Sequence, residues 1–244
     1  MQISMIPAVM LIILSGSCIQ SALGFGATMI TMGFLPLLME YSRAMGLSII
    51  MVSISTLWIS VKYRKSIRWG VMLPFLIPTA LICALVNILS AKVSSNIMYL
   101  LLGIMFVAVS IYFFLFSNRI SIRPTPASGT ALGVICGIFY GLFASGGPTA
   151  ALYLLPAVDN KEEYLATIQA FLCVNNLVVL AISLVLGRLD VADIPVICAG
   201  AAAQIVGMFL GLVIHEKIPA EIFGRVIYAF VGIGGAWIIV SHLL

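Results

Sequence analysis

Charged residues are scarce in this chain. Only 8% of the 244 residues are Asp, Glu, Lys or Arg, whereas 63% are hydrophobic. Soluble globular domains carry roughly 25% charged residues to cover a water-facing surface, so this composition excludes a soluble enzyme and a soluble nucleic-acid-binding domain. A mean hydropathy of +1.23 is typical of a protein that lies largely within a lipid bilayer.

Carboxylates, histidines and paired metal-binding cysteines are missing from the interior of the apolar stretches. All eight carboxylates lie in or beside the connections, both histidines lie at or near the ends of stretches, and none of the five cysteines forms a CxxC pair. A proton relay or a carboxylate-based sodium site at the membrane centre requires an ionisable residue there. We therefore expect no metal site and no cofactor, and we expect any ligand to be bound by neutral donors.

The motifs of membrane enzymes and ATP-driven pumps are also missing. The sequence has no HExxH motif and no phosphate-binding loop. Ser145 between Ala144 and Gly146 faintly resembles the serine of intramembrane proteases, but such a nucleophile needs a base within hydrogen-bond reach, which the sequence does not supply. We predict that the chain is not an enzyme.

Eight long apolar stretches make up most of the chain. Because they are continuous and lipid-exposed backbone must satisfy its own hydrogen bonds, they favour helices over the alternating strands of a barrel. No basic segment precedes the first stretch and no small-residue cleavage site follows it, so we expect a retained membrane segment and not a signal peptide. The stretches cover residues 5–39, 44–61, 69–89, 97–116, 129–156, 164–186, 192–214 and 222–244.

The two halves of the sequence match at an offset of 120 residues. Leu23–Thr28 with Pro36 corresponds to Phe143–Pro148 with Pro156. The same offset places Ser55 and Thr56 opposite Asn175 and Asn176. One frame that aligns glycines, prolines and polar pairs favours two copies of an ancestral unit over chance similarity. We predict a single integral membrane domain with a first membrane repeat over 1–122, a linker over 123–128 and a second membrane repeat over 129–244.

The first element of each half, which glycines interrupt, decides the orientation of the halves. If this element crosses the membrane once, seven Lys and Arg residues lie on the cytoplasmic side and five on the outer side. If it enters the membrane and returns to the same side, nine lie on the cytoplasmic side and three on the outer side. The positive-inside rule favours the second arrangement, with both termini extracytoplasmic. As a helix, 130–144 spans about 22 Å, short of the roughly 30 Å hydrocarbon core. We predict an all-α polytopic membrane protein with two inverted repeats, each a broken, re-entrant-like helical hairpin plus three transmembrane helices.

Paired interrupted segments of this kind indicate the binding site of a transporter. A helix that restarts at Gly147 and Pro148 presents unpaired N–H groups and a positive dipole end to the membrane interior, and the equivalent restart is near Ala27 and Thr28. Two such ends favour an anion, and glycine lets the backbone approach it closely. The alternative is that the glycines only permit tight helix packing.

Uncharged polar side chains complete the predicted site. Amide N–H₂ groups donate to anion oxygens, and because adjacent helical residues point about 100° apart, one of Asn175 and Asn176 is expected to face the site, with Asn175 slightly favoured. Gln169 lies on about the same helix face as Asn175. The alternative for each amide is an interhelical hydrogen bond. The predicted substrate-binding residues are Gly24, Phe25, Gly26, Thr28, Ser55, Ser145, Gly146, Gly147, Pro148, Gln169, Asn175 and Asn176.

The two interrupted motifs also carry a family resemblance. Gly24-Phe25-Gly26 with Pro36, and Ser145-Gly146-Gly147-Pro148 with Pro156, resemble the TauE/SafE family of sulfite exporters and related sulfur-anion permeases, as do the length and the order of segments. The resemblance covers essentially the whole chain. It implies a multi-pass permease of the plasma (inner) membrane. The family is usually richer in glycine where this chain has Ala27-Thr28, so the first half of the site is expected to differ in openness or substrate.

These observations together predict a secondary transporter for a sulfur-containing or small organic anion such as sulfite, sulfonate or thiosulfate. It would work by alternating access around a midplane site, with the anion and the lipid bilayer as partners and no nucleic acid. The alternative is a non-transporting membrane subunit that anchors or assembles a partner. The sequence is equally compatible with a monomer and a homodimer, with import and export, and with proton, sodium or no coupling.

Overall fold

A computed structural model describes residues 5–116, 124–188, 190 and 193–217 of the chain. Over these residues every regular element is a helix and there is no strand. Six of the helices are long and apolar enough to cross a membrane. The predicted class, an all-α polytopic membrane protein, is confirmed. The last predicted stretch, 222–244, lies outside the described residues.

The described part of the chain holds nine α-helices, and three-residue 3₁₀ turns cover Leu35–Leu37, Arg64–Ser66 and Leu155–Ala157. The α-helices are α1 (Ile6–Leu23), α2 (Ala27–Phe34), α3 (Tyr41–Lys62), α4 (Trp69–Ser90), α5 (Ser95–Phe116), α6 (Pro126–Phe143), α7 (Gly147–Leu154), α8 (Lys161–Val185) and α9 (Ile194–Lys217).

Helix boundaries recur at the offset that the sequence motifs suggested. Helices α6 and α7 begin and end 120 residues after α1 and α2, the 3₁₀ turn at Leu155–Ala157 follows that at Leu35–Leu37 by the same distance, and α8 begins 120 residues after α3. The agreement is weaker at α9, which begins 125 residues after α4. Equal spacing of four consecutive elements is what duplication of one unit produces.

Helix α6 is longer than the sequence suggested. It begins at Pro126 because Thr125 and Ser128 form a reciprocal capping box and Pro126 fits the first helical turn. The last three residues of the predicted linker over 123–128 are therefore helical. Its 18 residues span about 27 Å, so the expectation of about 22 Å was wrong, and α6 alone nearly matches the hydrocarbon thickness.

The chain reverses direction at each interrupted segment. In the second half, the hydroxyl of Tyr153 near the end of α7 donates to the carbonyl of Thr125 at the start of α6 (3.4 Å). In the first half, a Cβ on Gly16 of α1 would lie 3.1 Å from the carbonyl oxygen of Ala27 and 3.5 Å from the side chain of Thr31 in α2. Both short helices thus fold back along the long helix that precedes them, which makes each pair a hairpin.

The most extensive helix pairings join the two halves. Helix α4 packs along α6, and α9 packs along α1. Close approach is possible because glycines recur every fourth residue on α6: a Cβ on Gly137 would lie 2.8 Å from the carbonyl oxygen of Thr79, and one on Gly141 would lie 2.8 Å from that of Cys83. These contacts fix the fourth helix of each half against the first helix of the other.

Helices α3 and α8 lie side by side and run antiparallel. Ser66, just after the end of α3, donates to Glu162 in the first turn of α8 (2.5 Å). At the opposite end, Arg188, just after α8, contacts the sulfur of Met45 near the start of α3 (3.3 Å). This pair forms the centre of the bundle and brings the breaks of both hairpins within reach of α8.

The outer surface of the bundle is apolar. Large aliphatic and aromatic side chains on α4 and α9 face outward, among them Leu81, Leu85, Phe209 and Leu210. Polar side chains of α3 and α8 are instead buried inside. This is the arrangement expected of a protein whose solvent is lipid.

Candidate functional site

The two helix breaks meet in the interior of the bundle. Phe25, in the break between α1 and α2, packs on Gly147 at the first turn of α7, where an added Cβ would lie 2.6 Å from the Cβ of Phe25. Both residues are buried. The two breaks therefore contact each other in the protein interior.

The first break depends on two glycines in the left-handed conformation. Gly24 has φ +88° and closes α1 with a hydrogen bond from its N–H to the carbonyl of Gln20 (2.7 Å), and Gly26 has φ +112°. The amide of Gln169 on α8 donates to the carbonyl of Gly24 (3.1 Å). The side chains of Gln20 and Gln169 also contact each other, at 3.5 Å. A residue of the second half thus holds the break of the first half.

The second break uses a different residue at the equivalent turn. Ala144, 120 residues after Gly24, has φ +53°, and its N–H bonds to the carbonyl of Tyr140 (2.8 Å). Gly146 has no room for a side chain, because a Cβ would meet the ring of Tyr140 and lie 2.7 Å from the sulfur of Cys136. The hydroxyl of Ser145 is buried and has no hydrogen-bond partner among the described residues.

Both short helices begin without a side-chain cap. Gly26 precedes α2 and Gly146 precedes α7, and neither has a side chain that can accept a hydrogen bond from the first turn. The first amide N–H groups of a helix have no intrahelical partner, and Pro148 in α7 has no N–H to satisfy. Thr28 is buried in the first turn of α2, and its carbonyl accepts from Thr31 (3.4 Å). The two breaks thus direct backbone donors and positive dipole ends into the protein interior.

A second polar cluster lies where α3, α6 and α8 meet. Asn176 accepts a hydrogen bond from the hydroxyl of Tyr140 (2.5 Å) and donates to that of Thr56 (3.4 Å). Tyr140 also donates to the carbonyl of Leu172 (3.2 Å). Thr56 and Asn176 occupy equivalent positions of the two halves and contact each other directly. The cluster reaches the second break, because the ring of Tyr140 also touches Gly146.

Two predicted site residues lie apart from this arrangement. The amide of Asn175 donates to the carbonyl of Phe171 on its own helix (2.9 Å), and its carbonyl oxygen has no partner among the described residues. Ser55 accepts from the amide of Gln204 (2.8 Å), whose backbone carbonyl accepts from Ser17. Ser55 therefore belongs to a cluster between α1, α3 and α9. Which of the two adjacent asparagines binds a ligand stays a prediction.

Tyr140 was missed by the sequence analysis although it touches both the second break and Asn176. A signal was present in the sequence. Gln20 and Tyr140 occupy the same position of the two halves, four residues before Gly24 and Ala144, and each carries a polar group. The structure uses the first to contact Gln169 and the second to contact Asn176.

Ion pairs join the halves at both ends of the α3–α8 pair. At one end, Arg43 pairs with Asp193, which is only 4% exposed. At the other end, Arg68 pairs with Glu163 (3.0 Å) and with Asp159. Within the described residues, no group of three or more His, Cys, Asp or Glu is placed to hold a metal ion.

Comparison with known proteins identifies the family. No curated protein and no solved structure matches the chain. A family model described as sulfite exporter TauE/SafE matches residues 8–244. The match includes both broken hairpins and the helices that hold them, and it confirms the resemblance carried by the two glycine motifs. This multi-pass membrane protein, with its two breaks packed together inside the bundle, belongs to the sulfite exporter TauE/SafE family of membrane transporters.

Proposed function

We propose that this chain is a secondary transporter of the plasma membrane that carries a sulfur-containing or small organic anion, such as sulfite, a sulfonate or thiosulfate. The observation that carries the proposal is the contact between the two helix breaks at Phe25 and Gly147, in a chain of a sulfite exporter family. Packing alone does not require two broken hairpins whose breaks meet in the interior.

The chemistry of the breaks favours an anion. The uncapped first turns of α2 and α7 and the buried hydroxyl of Ser145 supply donors, and neither first turn holds an acidic residue. A helix N-terminus stabilises a negative charge by about 0.3–1 kcal/mol when exposed and up to about 2 kcal/mol when partly buried. Two such ends therefore contribute on the order of 0.6–4 kcal/mol, or up to about 700-fold in affinity.

We further infer that the halves are related by an approximate two-fold axis in the membrane plane, as inverted repeats. Support comes from the antiparallel course of α3 and α8, which begin at equivalent positions. It also comes from the contact between Thr56 and Asn176, because equivalent residues touch each other only close to a symmetry axis. Such a pair of halves presents one break from each side of the bilayer.

Alternating access then requires the halves to separate at one end at a time. Arg43 with Asp193 closes one end of the α3–α8 pair, and Arg68 with Glu163 and Asp159 closes the other. The first pair is the more buried: Asp193 has a side chain that is 5% exposed, against 79% for Asp159. We assign the Arg43 end as the more tightly closed end in this conformation.

Uptake of radiolabelled sulfite, thiosulfate and methanesulfonate into liposomes that contain only this chain tests the proposal. Gradients of pH and of sodium are imposed in turn, and labelled glycerol reports any leak. We expect saturable uptake of at least one anion above protein-free liposomes, with no added entry of glycerol. Absence of uptake of every anion under every gradient would refute the transporter and favour the membrane subunit that needs a partner chain.

A further inference from the structure

Arg188 is a half-buried cation where the end of α8 meets the start of α3 and the end of α4. One guanidinium nitrogen donates to the hydroxyl of Ser183 (3.1 Å) and contacts the sulfur of Met45 (3.3 Å), and the other donates to the carbonyl of Asn87 (3.3 Å). Three separate helices thus hold the side chain in place.

None of these partners is charged. Among the described residues, the ion pairs of this protein involve Arg43 and Arg68, and no carboxylate lies within ion-pair distance of Arg188. Burial lowers the pKa of its guanidinium, with the nearby Tyr41 opposing that effect. An arginine stays protonated at neutral pH all the same. A positive charge held partly out of water without a counter-charge is costly, and an arriving anion would relieve that cost.

The opposite end of the bundle provides an internal comparison. Arg68 lies 120 residues before Arg188, at the equivalent position of the first half, and is neutralised by Glu163 and Asp159. The position equivalent to Glu163 in the first half is Arg43, which is paired with Asp193. The same position therefore carries a neutralised arginine at one end of the bundle and an arginine without a carboxylate at the other.

Asn87 connects this arginine to the second helix break. Its backbone carbonyl accepts from Arg188, and its side-chain amide donates to the carbonyl of Gly141 (2.8 Å). Gly141 lies three residues before Ala144, where α6 ends. The guanidinium thus contacts Asn87, which in turn contacts α6, the helix that leads into the second break.

We propose that Arg188 binds the transported oxyanion at this end of the protein, on its way to or from the helix breaks, once the Arg43–Asp193 pair that closes this end has opened. The proposal rests on the proposed transport function and adds a binding residue to it. A guanidinium offers five N–H groups in a fixed fork that fits two oxygens of a sulfite, sulfonate or carboxylate group, whereas an ammonium acts as a point charge. The ligand class is therefore a small anion with at least two oxygens on one atom.

The test compares Arg188→Gln, Arg188→Lys and Lys92→Gln in the liposome assay with radiolabelled sulfite, thiosulfate and methanesulfonate. Lys92 is exposed in the connection after α4, so Lys92→Gln removes one positive charge near the same end without touching the arginine. We expect Arg188→Gln to raise KM at least tenfold while the maximal rate stays within about threefold. Arg188→Lys should restore part of the affinity, and Lys92→Gln should keep the wild-type KM.

The outcomes separate the two proposals. If the wild type carries none of sulfite, thiosulfate and methanesulfonate, the transport function fails and this inference fails with it. If the wild type transports and Arg188→Gln keeps its KM, or Lys92→Gln raises KM equally, the transporter stands and the assignment of Arg188 is overturned. Should Arg188→Gln not fold, Arg188→Lys carries the test alone: a KM several times that of the wild type supports a fork-shaped contact, and an unchanged KM overturns it.

Discussion

Gly24→Ala tests how the first helix break is built. The backbone there has φ +88°, and a left-handed conformation costs a residue with a Cβ about 1–2 kcal/mol. The new methyl carbon would also lie 2.9 Å from the side chain of Ile168, and overpacking of that kind costs about 1–3 kcal/mol. We therefore expect the free energy of unfolding to fall by about 2–5 kcal/mol.

Unfolding by SDS titration in mixed micelles, followed by circular dichroism, measures this loss. Gly70→Ala is the matched control, because Gly70 lies in the first turn of α4 with open space around it. There the same change should leave stability unchanged or raise it by up to about 1 kcal/mol. The double variant Gly24→Ala with Ile168→Ala should remove the steric part of the cost and leave the backbone part, which a double-mutant cycle separates. Stability of Gly24→Ala equal to that of the wild type would refute this description of the break.

Three further predictions concern buried contacts between helices. Tyr140→Phe removes the hydroxyl that donates to Asn176, so unfolding in SDS should become easier by about 1–3 kcal/mol because a buried acceptor loses its donor. Asp193→Asn leaves Arg43 without its counter-charge, and because that arginine is partly exposed we expect the free energy of unfolding to fall by about 1–3 kcal/mol. Adding Arg43→Gln to the Asp193→Asn variant should restore part of that stability. Purely additive effects of the two substitutions would contradict the pairing. Gly137→Leu would place a side chain against α4, so we expect this variant to aggregate on size-exclusion chromatography in detergent. A variant that elutes as a single monodisperse peak, like the wild type, would show that the α4–α6 contact is not as close as described.

Much of the fold could be predicted from the sequence because membrane helices and their breaks have strong local signals. The scarcity of charged residues predicted a membrane protein, and Gly24, Gly26, Gly146 and Pro148 predicted the positions of both helix breaks. The offset of 120 residues predicted which helices correspond, and the helix boundaries follow it as far as the start of α8. The start of α6 was misjudged, since the capping box of Thr125 and Ser128 was not recognised.

The parts that could not be predicted depend on which distant residues meet. Arg43 and Asp193 are 150 residues apart, and no local rule pairs them. Likewise, the geometry of α8 sends Asn176 toward Tyr140 and Thr56 but leaves Asn175 bonded to its own helix, a choice set by small rotations of packed helices. Two of the twelve predicted site residues, Ser55 and Asn175, consequently lie in other contacts.

The most direct test of the central claim, that the anion binds between the two helix breaks, is the KM for sulfite uptake by Ser145→Ala and Ser21→Ala in liposomes. Both hydroxyls are buried without a partner among the described residues, but Ser21 lies on the side of α1 that packs against Gly211 of α9. Removing a hydroxyl that bonds nothing in the protein should leave thermal unfolding unchanged in both variants. A hydrogen bond to a charged group contributes about 1.5–3 kcal/mol, so Ser145→Ala is predicted to raise KM at least tenfold while Ser21→Ala keeps the wild-type value. A wild-type KM for Ser145→Ala, or an equal rise in both variants, would contradict the account.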